Sequence, residues 1–176
     1  MKLPTRVVQL RGGTMQKITP FLWFDDQAEE AANFYVSLFK NSRMGDIARY
    51  DEEAAAASGR PAGSVMVVDF VIEGQEFAAL NGGPNFKFTE AVSFVVNCET
   101  QEEVDDFWAK LTADGGQESQ CGWLKDKFGL SWQITPTVLT RMIKDKDPAK
   151  SKRVMHAMMQ MRKLDIATLQ RAYDGE

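Results

Sequence analysis

Residues 18–39 read ITPFLWFDDQAEEAANFYVSLF, and within them the hydrophobic period changes from that of a strand to that of a helix. The first seven, ITPFLWF, are short, aromatic and β-branched, which suits a strand with Pro20 at its edge or near its beginning. Asp25 and Asp26 end it. Asp26 followed by Glu29 has the outline of a capping box, and Ala28, Ala31, Ala32, Tyr35, Leu38 and Phe39 recur at helical spacing, which predicts an amphipathic helix packed on a sheet.

Beyond that helix, Asn41 and Ser42 break the pattern and RMGDIARY, residues 43–50, has the composition of a second strand. A loop of alanines ending in Gly59, Arg60, Pro61 and Gly63 is expected next. Two strands then meet at Gly74: SVMVVDFVIE, with Met66, Val68, Phe70 and Ile72 on one face, and QEFAALNG, with Phe77, Ala79 and Asn81 on one face. The order is strand, helix, strand, strand, strand. It returns from AVSFVVN, residues 91–97, through a second capping box at Thr100 and Glu103 and a helical stripe of Val104, Phe107, Trp108 and Leu111. Three short extended pieces follow, at 118–121, 122–126 and 130–135. The two strand-to-helix junctions, Phe24/Asp25 and Cys98/Glu99, lie about 75 residues apart, the mark of an internal βαβββ repeat.

After Pro136 the chain turns helical, over 138–144, 148–162 and from Asp165 onward, with a stripe of Val154, Met155, Met158, Met159 and Met161 suited to closing a core or a dimer contact. The expected organisation is an extension over residues 1–14, a domain over 15–136 made of modules 17–83 and 90–136, and a helical tail over 137–176. With 176 residues, 44% of them hydrophobic, the chain has enough material for one full core or two small packed modules. Its net charge of −4 opposes nucleic-acid binding. No apolar run approaches the roughly 20 residues that span a bilayer. MKLPTRVVQLRGGTMQK lacks the apolar core and cleavage site of a signal peptide, so a cytoplasmic protein is expected. Cys98 and Cys121 are too far apart for a CxxC motif, and both are expected to be reduced.

Residues 18–39, residues 73–111 (EGQEFAALNGGPNFKFTEAVSFVVNCETQEEVDDFWAKL), residues 120–139 (QCGWLKDKFGLSWQITPTVL) and the tail DPAKSKRVMHAMMQMRKLDIATLQRA together resemble the PhnB-like proteins. That family, also described as 3-demethylubiquinone-9 3-methyltransferase domain proteins, belongs to the glyoxalase/bleomycin-resistance, or vicinal oxygen chelate, superfamily. The resemblance implies an α+β fold of two βαβββ modules whose curved mixed sheets form a cup, followed by C-terminal helices, in a homodimer. In metal-using relatives four side chains enter the cup from the first and fourth strands of each module. The matching positions are placed at Thr19, Asn81, Ser93 and Gln133, and none of these is His, Glu or Asp.

Hydroxyls and amides alone are poor competitors with water for a divalent ion, so no metal and no cofactor are expected. His156, the only histidine, falls in the tail, with a surface or packing role. Glu73 and Glu76 beside the Gly74 turn could be paired for acid–base work, but a solvated hairpin rim is the plainer reading. A small-molecule site is expected instead from Asn81, Ser93 and Gln133 bordered by Trp23, Phe86 and Trp123. Asn81–Phe86 reads as a mobile rim loop, and its glycines do not match a phosphate-binding motif. Three functions compete: a metal-independent binding protein, a quinone methyltransferase as the family description says, and a glyoxalase-type lyase or dioxygenase. Against the second, the chain has no glycine-rich strand-to-helix loop of the kind that holds an adenosyl cofactor.

Overall fold

The computed structural model describes residues 16–176, so the proposed N-terminal extension lies outside the described residues. The contacts gather into two units that divide between Lys87 and Phe88. The first holds strands β1 (Phe21–Phe24), β2 (Arg43–Arg49), β3 (Val65–Ile72) and β4 (Gln75–Asn81), with helices α1 (Ala28–Leu38) and α2 (Glu52–Ser58). The second holds β5 (Ser93–Cys98), α3 (Gln101–Thr112), β6 (Gln117–Glu118), β7 (Trp123–Lys125) and β8 (Ser131–Pro136), then the tail helices α4 (Thr137–Ile143), α5 (Pro148–Met159) and α6 (Ile166–Asp174).

Each unit carries one four-stranded mixed sheet with the same topology, β1-β4-β3-β2 in the first and β5-β8-β7-β6 in the second. In both, the first strand runs parallel to the fourth and the remaining pairs are antiparallel. The repeat inferred from element order is therefore a repeat of strand pairing as well.

One face of the first sheet is covered by α1. Tyr35 of that helix is fully buried, and its ring lies 6.3 Å from Phe70, which stacks at 5.3 Å on Phe77. Leu22, Phe24, Val68 and Ala79 fill the same side. In the second sheet Val96, Cys98, Leu124, Trp132 and Ile134 are buried together with Val104, Trp108 and Leu111 of α3, while Val95 and Asn97 alternate outward. Trp108 Nε1 donates to Glu118 Oε1 at 2.9 Å and ties α3 to the short β6 strand.

The helix starts differ from expectation in one of the two modules. At α3 the N-cap half of the expected box forms, Thr100 Oγ1 accepting from the Glu103 amide, while Glu103 Oε2 accepts from the amide of Glu99, one residue before the cap. At α1 the N-cap is Gln27, with no side-chain cap of its own, and the first helical amide, Ala28 N, instead donates to Asn81 Oδ1 at 2.7 Å. The alanine run expected as a loop is helix α2, capped by Asp51, whose carboxylate accepts from Ala54 N, and closed by Gly59 in the left-handed region.

In the tail, Leu139, Met142, Val154, Leu164 and Leu169 form a separate core against which Met158, Met161 and Tyr173 pack. The methionine stripe is thus divided, because Met155 and Met159 stay exposed. His156 is exposed beside them.

The β7–β8 turn is organised by a buried carboxylate. Asp126 accepts from the Phe128 and Leu130 amides through Oδ1, and from Trp132 Nε1 at 2.8 Å through Oδ2. Removing it strands three donors at once. Asp126→Ala should lower the unfolding free energy by about 3 kcal/mol or more in urea titration, and a loss under about 1 kcal/mol would contradict this account of the turn.

Candidate functional site

The strand registers decide which side chains can meet a ligand on the face away from each helix. In the second unit Cys98 pairs with Pro136 and Val95 with Gln133; in the first, Phe24 pairs with Asn81 and Phe21 with Ala78. The repeat therefore places Ala78, not Asn81, where the second module has Gln133. Asn81 shares the face of Phe77 and Ala79, which α1 covers. Both ends of its amide are engaged, with Oδ1 accepting from Ala28 N and Nδ2 donating to Val65 O at 3.1 Å, while its carbonyl accepts from Tyr50 Oη at 2.7 Å. It also borders a 300 Å³ hollow with Asp26, Glu29, Arg60 and Ser64.

Trp23 lies on the face away from α1. Its indole donates to Gly83 O at 2.8 Å and meets the Phe86 ring edge-on at 4.9 Å. A Cβ at Gly82 would fall 2.3 Å from the Trp23 ring, so only glycine lets the loop lie flat on the indole. The Gly82 and Gly83 amides donate to Phe24 O and Asp25 O, and Arg60 Nη2 donates to Asp25 O as well. The segment expected to be a mobile rim loop is instead clamped at its glycines, with Phe86 exposed at its far end.

In the second unit Gln133 Nε2 donates to Ser93 Oγ at 2.9 Å, and Trp123 sits directly across from Gln133 in the β7–β8 register. Ser93, Trp123 and Gln133 are thus brought together on one sheet face. Neither Ala78 in the first unit nor the Ser93–Gln133 pair in the second offers a charged ligand to a divalent ion. Among the described residues no group of three or more His, Cys, Asp and Glu side chains could hold one.

Two residues here were not singled out from the sequence. Asp69, half-buried on β3 beside Ala78 of β4, has its carboxyl pushed above its ordinary value by burial, then by the charges of Asp46 and Glu76. Its alternation with Val68 and Phe70 was the available signal. Ser131 is fully buried, and its Oγ has no hydrogen-bond partner. No sequence signal distinguishes it. Of the paired glutamates, Glu73 stands exposed in the Gly74 turn, and Glu76 faces Asp69 electrostatically. Cys98 is buried and free, its thiol pushed up to about 12 by burial with Glu103 and Glu99 adding to it; Cys121 is free and half-buried.

With this geometry in view, the comparisons with known proteins agree on one family. The sequence pattern described as 3-demethylubiquinone-9 3-methyltransferase matches residues 16–135. The chain belongs to this PhnB-like family. A PhnB protein of Bacillus cereus carrying the same methyltransferase description is 42% identical, covers 69% of this chain and all of its own length, and superposes with a TM-score of 0.61. Protein PA1353 of Pseudomonas aeruginosa, 18% identical over 69% of this chain and 97% of its own, has a TM-score of 0.54. A fosfomycin resistance protein, FosX, of Listeria monocytogenes, 15% identical over 77% of this chain and 100% of its own, has a TM-score of 0.52. The last two share the fold. No curated protein matches the chain in sequence.

Two substitutions test this description. Asn81→Leu keeps the volume but leaves Ala28 N and Val65 O without partners, and should cost about 2–3 kcal/mol of unfolding free energy. For Asp69, a folded-state pKa above the unfolded one means stability is lost as pH rises through the folded value. Asp69→Asn should therefore raise the melting temperature at pH 7, with the gain vanishing below the unfolded carboxylate pKa near 3.8; a gain that grows on acidification would invert the sign and refute the assignment.

Proposed function

We propose that this PhnB-like protein is a metal-independent binder of a small, partly apolar molecule. The observation that carries this reading is the cluster of Ser93, Gln133 and Trp123 in the second unit, where an uncharged hydrogen-bonded pair lies beside an indole on the face away from α3. The ligand contacts proposed are Trp23 and Phe86 in the first unit and Ser93, Trp123 and Gln133 in the second, with Asn81 anchoring the loop that presents Phe86. Apolar walls with a few polar groups are the usual make-up of such sites.

The family description also suggests methyl transfer to a quinone ring. Among the described residues the one glycine pair that follows a strand, Gly82-Gly83, spends its amides on Phe24 O and Asp25 O and its carbonyl on Trp23, so it has no amides left for a phosphate or adenosyl group. We place the binding reading first for that reason. The chain is further proposed to act as a cytoplasmic homodimer without nucleic-acid or membrane partners. The exposed Met155 and Met159 and the exposed Phe21 and Val95 on edge strands support a second copy. Among the described residues no helix is long and apolar enough to cross a membrane.

Native mass spectrometry of the purified protein should detect a bound organic molecule, and elemental analysis should find far less than one metal ion per chain. One equivalent of tightly held metal would overturn the reading. A saturable melting shift with S-adenosylmethionine, of the size that about 2.7 kcal/mol of linkage gives at a hundredfold excess over Kd, would restore the methyltransferase alternative.

A further inference from the structure

A second hollow, of 480 Å³, opens in the second unit between the β6–β7 segment and β8. Gln117 to Cys121 form one wall, Trp123 and Lys125 another, and Ser131 and Glu90 complete it. Neither Ser93 nor Gln133 lines it. Its volume falls in the range of small-molecule pockets.

Three observations bear on what it would hold. The charged groups of the lining are already balanced: Lys125 Nζ lies 2.6 Å from Glu90 Oε1, and Glu118 accepts from the Trp108 indole and faces Arg162 at 3.9 Å. The wall is pinned from behind, because the Cys121 and Gly122 amides donate to Met161 O and Arg162 O and Gly122 O accepts from Ile134 N. Ser131 Oγ is left as a fully buried hydroxyl with no partner. A buried hydroxyl without a hydrogen bond costs free energy, and a group supplied from inside the hollow would remove that cost.

We infer that this hollow is a ligand site for a neutral, planar molecule bearing a carbonyl or amide, with its polar group hydrogen-bonded to Ser131 and its ring against Trp123. An anion or a cation would find the charged groups of the lining already paired, with no free counter-charge to meet it. Trp123 supplies a flat apolar wall suited to a ring. The inference rests on the small-molecule reading above only for the kind of partner, and it adds the location and the charge of that partner.

The test uses three molecules of nearly one shape and different charge: benzamide, benzoate and benzamidine. Occupancy is read from the Trp123 indole resonance and from the rate at which Ellman's reagent modifies Cys121, since Cys98 is buried with its thiol pushed up to about 12 and reacts slowly. Benzamide is expected to shift Trp123, to protect Cys121, and to bind at least about tenfold more tightly than either charged analogue. Ser131→Ala, which removes only the unpartnered hydroxyl, is expected to keep or raise the melting temperature and to weaken benzamide about tenfold, the worth of one good hydrogen bond. The charge series needs no substitution and so tests the site in the unaltered protein. Benzoate or benzamidine binding as well as benzamide, no response to benzamide at all, or an unchanged affinity in a folded Ser131→Ala protein would each overturn the inference. Benzamide that moves Gln133, Ser93 and Trp123 but leaves Cys121 untouched would overturn this placement while leaving the binding reading in force, which the molecule carried through purification tests separately.

Discussion

Everything in each module depends on the parallel pairing of its first strand with its fourth. A parallel pair cannot be closed by a tight turn, so the helix and two further strands must travel between them, and the helix is laid across one face of the sheet on the way. Once that pair is formed, alternation assigns every later side chain to the helix side or to the opposite side. Phe24 against Asn81, and Cys98 against Pro136, are the two registers from which the rest is counted.

This dependence explains which features were legible in the sequence. Strand and helix order, the doubled βαβββ plan, the Thr100–Glu103 box and the three tail helices each follow from local periodicity and capping chemistry. The placement of Asn81 does not, because the pairing register of β1 with β4 is a non-local property and a shift by an odd number of residues moves a side chain to the other face. Helix α2 was hidden by composition, since a run of alanines flanked by glycine and proline resembles a loop until Asp51 and Gly59 are recognised as its two caps. The Asn81–Phe86 segment looked mobile because paired glycines usually mean freedom. Here Gly82 means contact, with no room for a side chain beneath the Trp23 indole.

The candidate site was legible in part for the same reason. Ser93, Trp123 and Gln133 were grouped by what the family resemblance implies, and their side chains do gather on one face. Ser131 and Asp69 could not be singled out, because what distinguishes them is the surroundings that tertiary packing supplies: a missing partner in one case, neighbouring carboxylates in the other. Ser93 and Gln133 are uncharged and already share a hydrogen bond, so a partner at that face meets hydrogen-bonding groups rather than charge.

The two modules share a topology but start their helices by different means, and this bears on the order in which the chain acquires structure. Helix α3 draws its cap from Thr100 and Glu103, within a few residues of its own start, so its first turn is stabilised as soon as that stretch exists. Helix α1 receives its cap from Asn81, 53 residues further along. Until β4 docks, the amide of Ala28 faces water and the helix lacks both its cap and its sheet. A contact of that sequence separation is expensive in chain entropy and late to form. During synthesis the first module's helix therefore gains its cap only with its last strand, whereas α3 carries its cap within its own first turn.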